Sequence, residues 1–184
     1  MKDAYMEEHK GMDIYERLKE LAVELPSHTS PNGNYAMMSE FGERYFYTAG
    51  IGCASGGKPL VTGRLGKEVS VADGQRAARQ CVLNALSNAE LYLGNLNRIE
   101  RVVKTTVFIA CGASFGDQSL VAEGASELLS ALFGRQGQGV RSAIGVSALP
   151  KNQAVEIEVI FELKETEKER MHANPLERAD KGSI

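Results

Sequence analysis

The sequence predicts an α+β fold, one sheet with helices laid over it. Three observations carry that expectation. Helical and strand periodicities follow one another in the order helix, three strands, helix, strand, helix, two strands. Residues 101–110, RVVKTTVFIA, are rich in β-branched side chains and apolar on both faces, which marks a central strand. Residues 154–163 alternate, with Val155, Ile157, Val159, Phe161 and Leu163 set against Glu156, Glu158, Ile160 and Glu162, so one face is apolar and the other mainly acidic.

Residues 1–11 are polar and read as a frayed start. Asp13 and Glu16 resemble a capping box that opens an amphipathic helix, with Ile14, Leu18, Leu21, Ala22 and Leu25 as its stripe and Pro26 closing it. SHTSPNGN, residues 27–34, is a turn-rich loop. Residues 35–39 and 44–49 then read as strands joined across Phe41, Gly42 and Glu43, and a third strand is expected over 60–63 after the hairpin turn SGGKP. Ser70 and Asp73 start the longest helix, whose stripe of Val71, Ala78, Val82, Ala85, Leu86, Ala89 and Leu93 ends at Gly94.

In the 101–110 strand, Val103, Thr105, Val107 and Ile109 are expected on one face, Val102, Lys104, Thr106 and Phe108 on the other. A helix over 118–133 carries Leu120, Val121, Ala125, Leu128, Leu129 and Leu132 and stops at Gly134. GRQGQG, residues 134–139, reads as a mobile loop. Residues 140–147 and 154–163 are the last two strands, around the turn ALPKNQ, and the charged tail from 164 to 184 reads as a solvated extension. The organisation is therefore an extension with a helix over 1–26, a central domain over 27–163 and the tail. Helices on one face of such a sheet leave the other in need of cover, which predicts self-association.

With 184 residues, 43% of them hydrophobic and 24% charged, the chain matches one soluble globular domain. No run is long and apolar enough for a bilayer span and the start lacks the apolar stretch of a signal peptide, so the expected location is cytoplasmic and no membrane partner is expected. The balance of 21 Lys and Arg against 24 Asp and Glu gives −3, with no basic stripe, which argues against nucleic acid. Cys53, Cys81 and Cys111 are an odd, widely spaced set without CxxC and read as buried thiols in a reducing compartment. The three histidines are His9, His28 and His172, in terminal or loop-like segments that offer no fixed imidazole for a nucleophilic or zinc site. No phosphate-binding GxxxxGK[ST] motif occurs, and neither metal nor cofactor is expected.

The segment VRSAIGVSALPKNQAVEIEVIFEL, residues 140–163, resembles the signature of the RidA/YjgF family of reactive-intermediate deaminases, also labelled endoribonuclease L-PSP. RVVKTTVFIA resembles that family's central strand, GNYAMM its first strand and YTAGIG its second, so the likeness runs over about residues 27–163. The helix RLKELAVELP and the phrase DGQRAARQCVLNAL resemble a RidA-like branch with an added N-terminal helix. The resemblance implies a chorismate-mutase-like fold: a mixed six-stranded sheet with two helices on one face, assembled as a homotrimer with sites in the clefts between subunits. It also implies hydrolysis of enamine or imine acids of the 2-aminoacrylate type to 2-keto acids and ammonia, without a cofactor.

By their places in those motifs, the resemblance makes Arg141 the carboxylate-binding arginine, suited to it by its planar fork. Glu156 matches the acid that orients water, Tyr35 the tyrosine that covers the substrate, and Gly50 the glycine whose backbone borders it. Each has a plainer reading: a surface salt bridge for Arg141, a solvated outer face for Glu156, core packing for Tyr35 and an ordinary turn for Gly50. Two departures stand out. Ala143 replaces the cysteine two residues after the arginine of founding members, and Glu123 falls near a position they fill with asparagine, adding negative charge beside a site for anions. The loop 134–139 is also one residue longer, which reshapes the pocket mouth. The expected partner is a small imine or enamine acid, with a non-catalytic ligand-binding or protein-interaction trimer as the alternative and RNA cleavage as the least favoured reading.

Overall fold

The structure, a computed structural model, describes residues 13–165. Its first helix, α1 (Ile14–Glu20), is capped by Asp13, whose carboxylate accepts from the Tyr15 N–H at 2.7 Å. Asn97 clamps this start by donating to the other Asp13 oxygen at 3.0 Å and accepting from the Ile14 N–H at 2.9 Å. The helix stops at Glu20 rather than running to Leu25. Ala22 adopts a left-handed φ of 49°, and the Val23 and Ala22 N–H groups bond back to the Leu18 and Lys19 carbonyls, satisfying acceptors that the end of a helix leaves open.

The remaining elements are β1 (Met38–Phe41), β2 (Tyr45–Thr48), β3 (Ile51–Gly52), β4 (Ala54–Ser55), β5 (Lys58–Pro59), α2 (Val71–Leu93), β6 (Ile99–Ala110), α3 (Gln118–Phe133), β7 (Val140–Val146) and β8 (Val155–Leu163). Six strands form one mixed sheet in the order β1-β2-β8-β6-β7, with β3 also on β8, and only the β6–β7 pair among them is parallel. The α+β expectation is met. SGGKP does make a hairpin turn, between β4 and β5, with Gly56 and Gly57 both at positive φ as the turn requires.

Three segments differ from expectation. The first strand starts at Met38, so Tyr35 lies in the turn before it, where its backbone N–H bonds to Gly33 O. No strand spans 60–63; Thr62 makes a single bridge to Gln153, while the edge of β8 is taken by β3 instead. The segment 134–139 is no open loop. Residues Gly134–Gly137 form a 3₁₀ turn, and a Cβ on buried Gly137 would overlap the Leu129 backbone.

Within β6 the expected faces hold from Lys104 onward but fail before it. Val102 is buried and Val103 only half-buried, because a bulge places Val102 opposite Phe161 and Lys104 opposite Ile160, leaving Val103 as the extra residue. A second irregularity separates β2 from β3. Tyr47 pairs with Ile160 and Ile51 with Ile157, and between them the buried Thr48 hydroxyl accepts the Val159 N–H at 3.0 Å.

The core lies between one sheet face and the helix pair α2 and α3. Phe46, Val107, Ile109, Ile157 and Phe161 meet Ala78, Cys81, Val82, Leu128 and Leu129 there. All three cysteines are buried thiols. The other sheet face carries Phe41, Tyr47 and Ile144, each 40–50% exposed. Among the described residues no helix is long and apolar enough to cross a membrane. His9, His172, the stretch 1–11 and nearly all of the charged tail lie outside the described residues.

The two long helices come into close contact at Gly124, where a Cβ would overlap the carbonyl group of Gln75. A backbone carbonyl on a packed helix has nowhere to retreat, so Gly124→Ala is expected to destabilise by about 1–3 kcal/mol. Thermal unfolding should show this as a midpoint several degrees lower; an unchanged midpoint would mean that the helices separate freely.

Candidate functional site

The residues singled out by the sequence fall into two groups on opposite sides of the sheet. Arg141 lies on the edge strand β7 opposite Thr105 and turns toward the helices. Its Nη1 donates to Glu123 Oε1 at 2.9 Å and to Ser126 Oγ at 2.8 Å, both on α3. The ion pair sits at the surface, with the Arg141 side chain 23% exposed and that of Glu123 42%. Both bonds use one nitrogen, so one edge of the guanidinium fork is committed to the protein. Ala143, two residues on, pairs with Val107 and packs against the core.

Glu156 lies on β8 opposite Phe108, on the face turned from the helices. Burial raises its carboxyl above the ordinary glutamate value, and the neighbouring Glu158 carboxylate and Cys53 add to the shift. Cys81 itself is held well above the usual thiol range by burial, so it stays neutral beneath this wall.

Gly50 lies against Glu156: a Cβ there would overlap the Glu156 carboxylate. The irregular stretch between β2 and β3 thus brings a residue without a side chain to the one place where the acid needs room. Tyr35 and Gly50 line a common cleft, open to solvent, together with Asn32, Gly52, Lys151 and Gln153. The Tyr35 ring is half-exposed and its hydroxyl accepts the Asn32 N–H at 3.2 Å, so it is a wall of the cleft and no part of the core.

One chain therefore brings Gly50 beside both Tyr35 and Glu156, and separately Arg141 beside Glu123, but it does not join the two sets. Strand β6 lies between β7 and β8, two spacings that amount to about 10 Å. Among the described residues no group of three His, Cys, Asp or Glu is placed to hold a metal ion.

Sequence reasoning missed Gly52, Lys151 and Gln153. Gly52 pairs with Glu156, and a Cβ on it would overlap the Gln153 carboxamide. A signal was present: Gly50 and Gly52 stand two apart, on one face of an extended segment, and Gln153 is a polar residue at the threshold of a core strand.

The comparisons agree with this architecture. The family model described as Endoribonuclease L-PSP matches residues 29–163. Protein TCP17 of Trypanosoma cruzi is 38% identical over 153 residues, covering 79% of this chain and 91% of its own length. Among solved structures, Atu1372 of Agrobacterium tumefaciens, of unknown function, is 38% identical with a TM-score of 0.76, over 85% of this chain and 98% of that one. A protein of Shewanella oneidensis is 28% identical with a TM-score of 0.79, over 83% and 100%. The chain belongs to the RidA/YjgF family, whose model carries the description Endoribonuclease L-PSP.

Proposed function

We propose that the protein hydrolyses 2-imino acids and their enamine tautomers to 2-keto acids and ammonia. The observation that carries this reading is the Glu156 carboxyl, half-buried, raised in pKa and packed against Gly50, which itself lines an open cleft. An imine carbon is already electrophilic, so the protein must hold the substrate carboxylate, move protons and present water. Glu156 takes a proton from water as its oxygen attacks C2 of the protonated imine and passes that proton to the amino nitrogen of the adduct; it then takes the adduct's hydroxyl proton as the C–N bond breaks, leaving the keto acid and ammonia, and releases it to solvent. The same carboxyl supplies the proton that converts an enamine into the imine.

Carboxylate binding falls to the free edge of the Arg141 fork. Because Arg141 and Glu156 stand on opposite sides of one sheet, the complete site requires a second copy, which joins Arg141 of one subunit to the Tyr35, Gly50 and Glu156 wall of the next. The exposed Phe41, Tyr47 and Ile144 on the outer sheet face support assembly of such a homotrimer. A second reading, a trimer that binds an anionic ligand without turning it over, is favoured by the Glu123 carboxylate already paired with Arg141.

The reading is tested by generating 2-aminoacrylate in place with a serine dehydratase and following keto-acid release. The protein is expected to accelerate release over buffer. A protein confirmed as a trimer that gives no acceleration removes this substrate and leaves the ligand-binding reading.

A further inference from the structure

Gln153 is only 7% exposed, yet it lines the cleft that contains Gly50 and Tyr35. Its Nε2 donates to the Pro150 carbonyl at 3.4 Å, while its Oε1 has no hydrogen-bond donor among the described residues. Buried side-chain acceptors are nearly always paired, so an unpaired one at the wall of a cleft marks a place for a ligand's N–H or O–H. The surrounding backbone is shaped for it. Gly50 leaves room for the Glu156 carboxylate and Gly52 for the Gln153 carboxamide, so both side chains pack against the same short segment, residues 50–52.

Gly50 and Gly52 stand two residues apart, a span of at most about 7 Å. A three-atom side chain on the reacting carbon, followed by one hydrogen bond of about 3 Å, covers that span. The chemistry of its far end follows from what faces it. An alkyl end leaves Oε1 unpaired, and a carboxylate presents acceptors to an acceptor. An ammonium end meets Lys151, which lines the same cleft with its Nζ donating to Asn32 Oδ1 at 3.0 Å. A neutral carboxamide suits both groups, since its NH2 donates to Gln153 while its carbonyl accepts from a cation.

We propose that Gln153 determines specificity, its Oε1 accepting from the terminal amide of a 2-imino acid that bears a short carboxamide side chain. The inference rests on the deaminase reading of the same cleft. Gln153 acts on the substrate's far end and takes no part in proton transfer.

The test forms imines in place with an amino-acid oxidase and catalase, from asparagine and from leucine, whose side chains have nearly the same shape. Wild-type protein is expected to prefer the asparagine-derived imine by about tenfold or more in kcat/KM, since a site built to hydrogen-bond its substrate rejects an analogue that cannot. Gln153→Leu, and Gln153→Met as a flexible variant in case the first fails to fold, should remove that preference while retaining activity on the leucine-derived imine. Equal losses on both substrates, or an unchanged preference, would overturn the proposal. Calorimetric binding of the two corresponding 2-keto acids provides a readout free of turnover. A Gln153-dependent preference in binding without hydrolysis of any imine would defeat the deaminase reading and keep the subsite; hydrolysis without preference would do the reverse.

Discussion

Glu156→Gln is expected to lower imine hydrolysis by about 10²- to 10⁴-fold, the usual range for removing a positioned proton-transfer group, and to stabilise the folded protein at neutral pH. Both effects have one cause. Burial, with Glu158 and Cys53 nearby, holds the carboxyl above the ordinary glutamate value, so the folded chain retains a proton that the unfolded chain has released. The folded state then binds more protons, and stability falls as pH rises from the ordinary value through the raised one, levelling off above it. Glutamine has no proton to lose. The stability advantage of the variant should therefore be absent below the carboxylate range, grow across that window and persist above it. Thermal midpoints of both proteins at several pH values measure this, and equal midpoints at neutral pH would contradict the raised pKa. Wild-type kcat/KM should rise with pH through a value above that of a free glutamate, a limb missing from the variant.

For Arg141→Ala the expectation is a loss of about 50-fold or more in kcat/KM, since a charge-assisted hydrogen bond contributes roughly 1.5–3 kcal/mol net and a two-pronged clamp loses more than one. Arg141→Lys should recover little, because an ammonium keeps the charge but has no fork. The ion pair with Glu123 supplies a control. If Arg141 binds substrate, Glu123→Gln should lower KM by freeing positive charge; if it only ties β7 to α3, the same variant should leave KM unchanged and lower the thermal midpoint. Turnover by Arg141→Ala within threefold of wild type would remove the carboxylate clamp from the mechanism.

Much of the fold was legible because apolar periodicity is a direct record of which face is buried. The α2 and α3 stripes, the alternation in β8, the stop at Gly94 and the Ser70 cap, whose hydroxyl accepts the Asp73 N–H, all follow from local rules. The misplaced pieces share a different origin. Val103 changes face because β6 bulges against β8, and the 60–63 strand is absent because β3 holds the neighbouring edge. Pairing between segments about sixty to a hundred residues apart leaves no local trace.

The site divides in the same way. Arg141, Glu156, Tyr35, Gly50 and Glu123 were legible as residue types in recognisable phrases, and the family membership they implied is met by the match over residues 29–163. Their grouping was not legible. That Gly50 makes room for Glu156, that Gly52 makes room for Gln153, and that Arg141 turns to α3 on the far side of the sheet depend on strand order and register. The sequence by itself determined the elements, the family and the chemical groups available, because propensity and periodicity act between near neighbours. Only the tertiary structure decided which groups share a wall, because a one-residue bulge between distant strands moves a side chain from one face to the other.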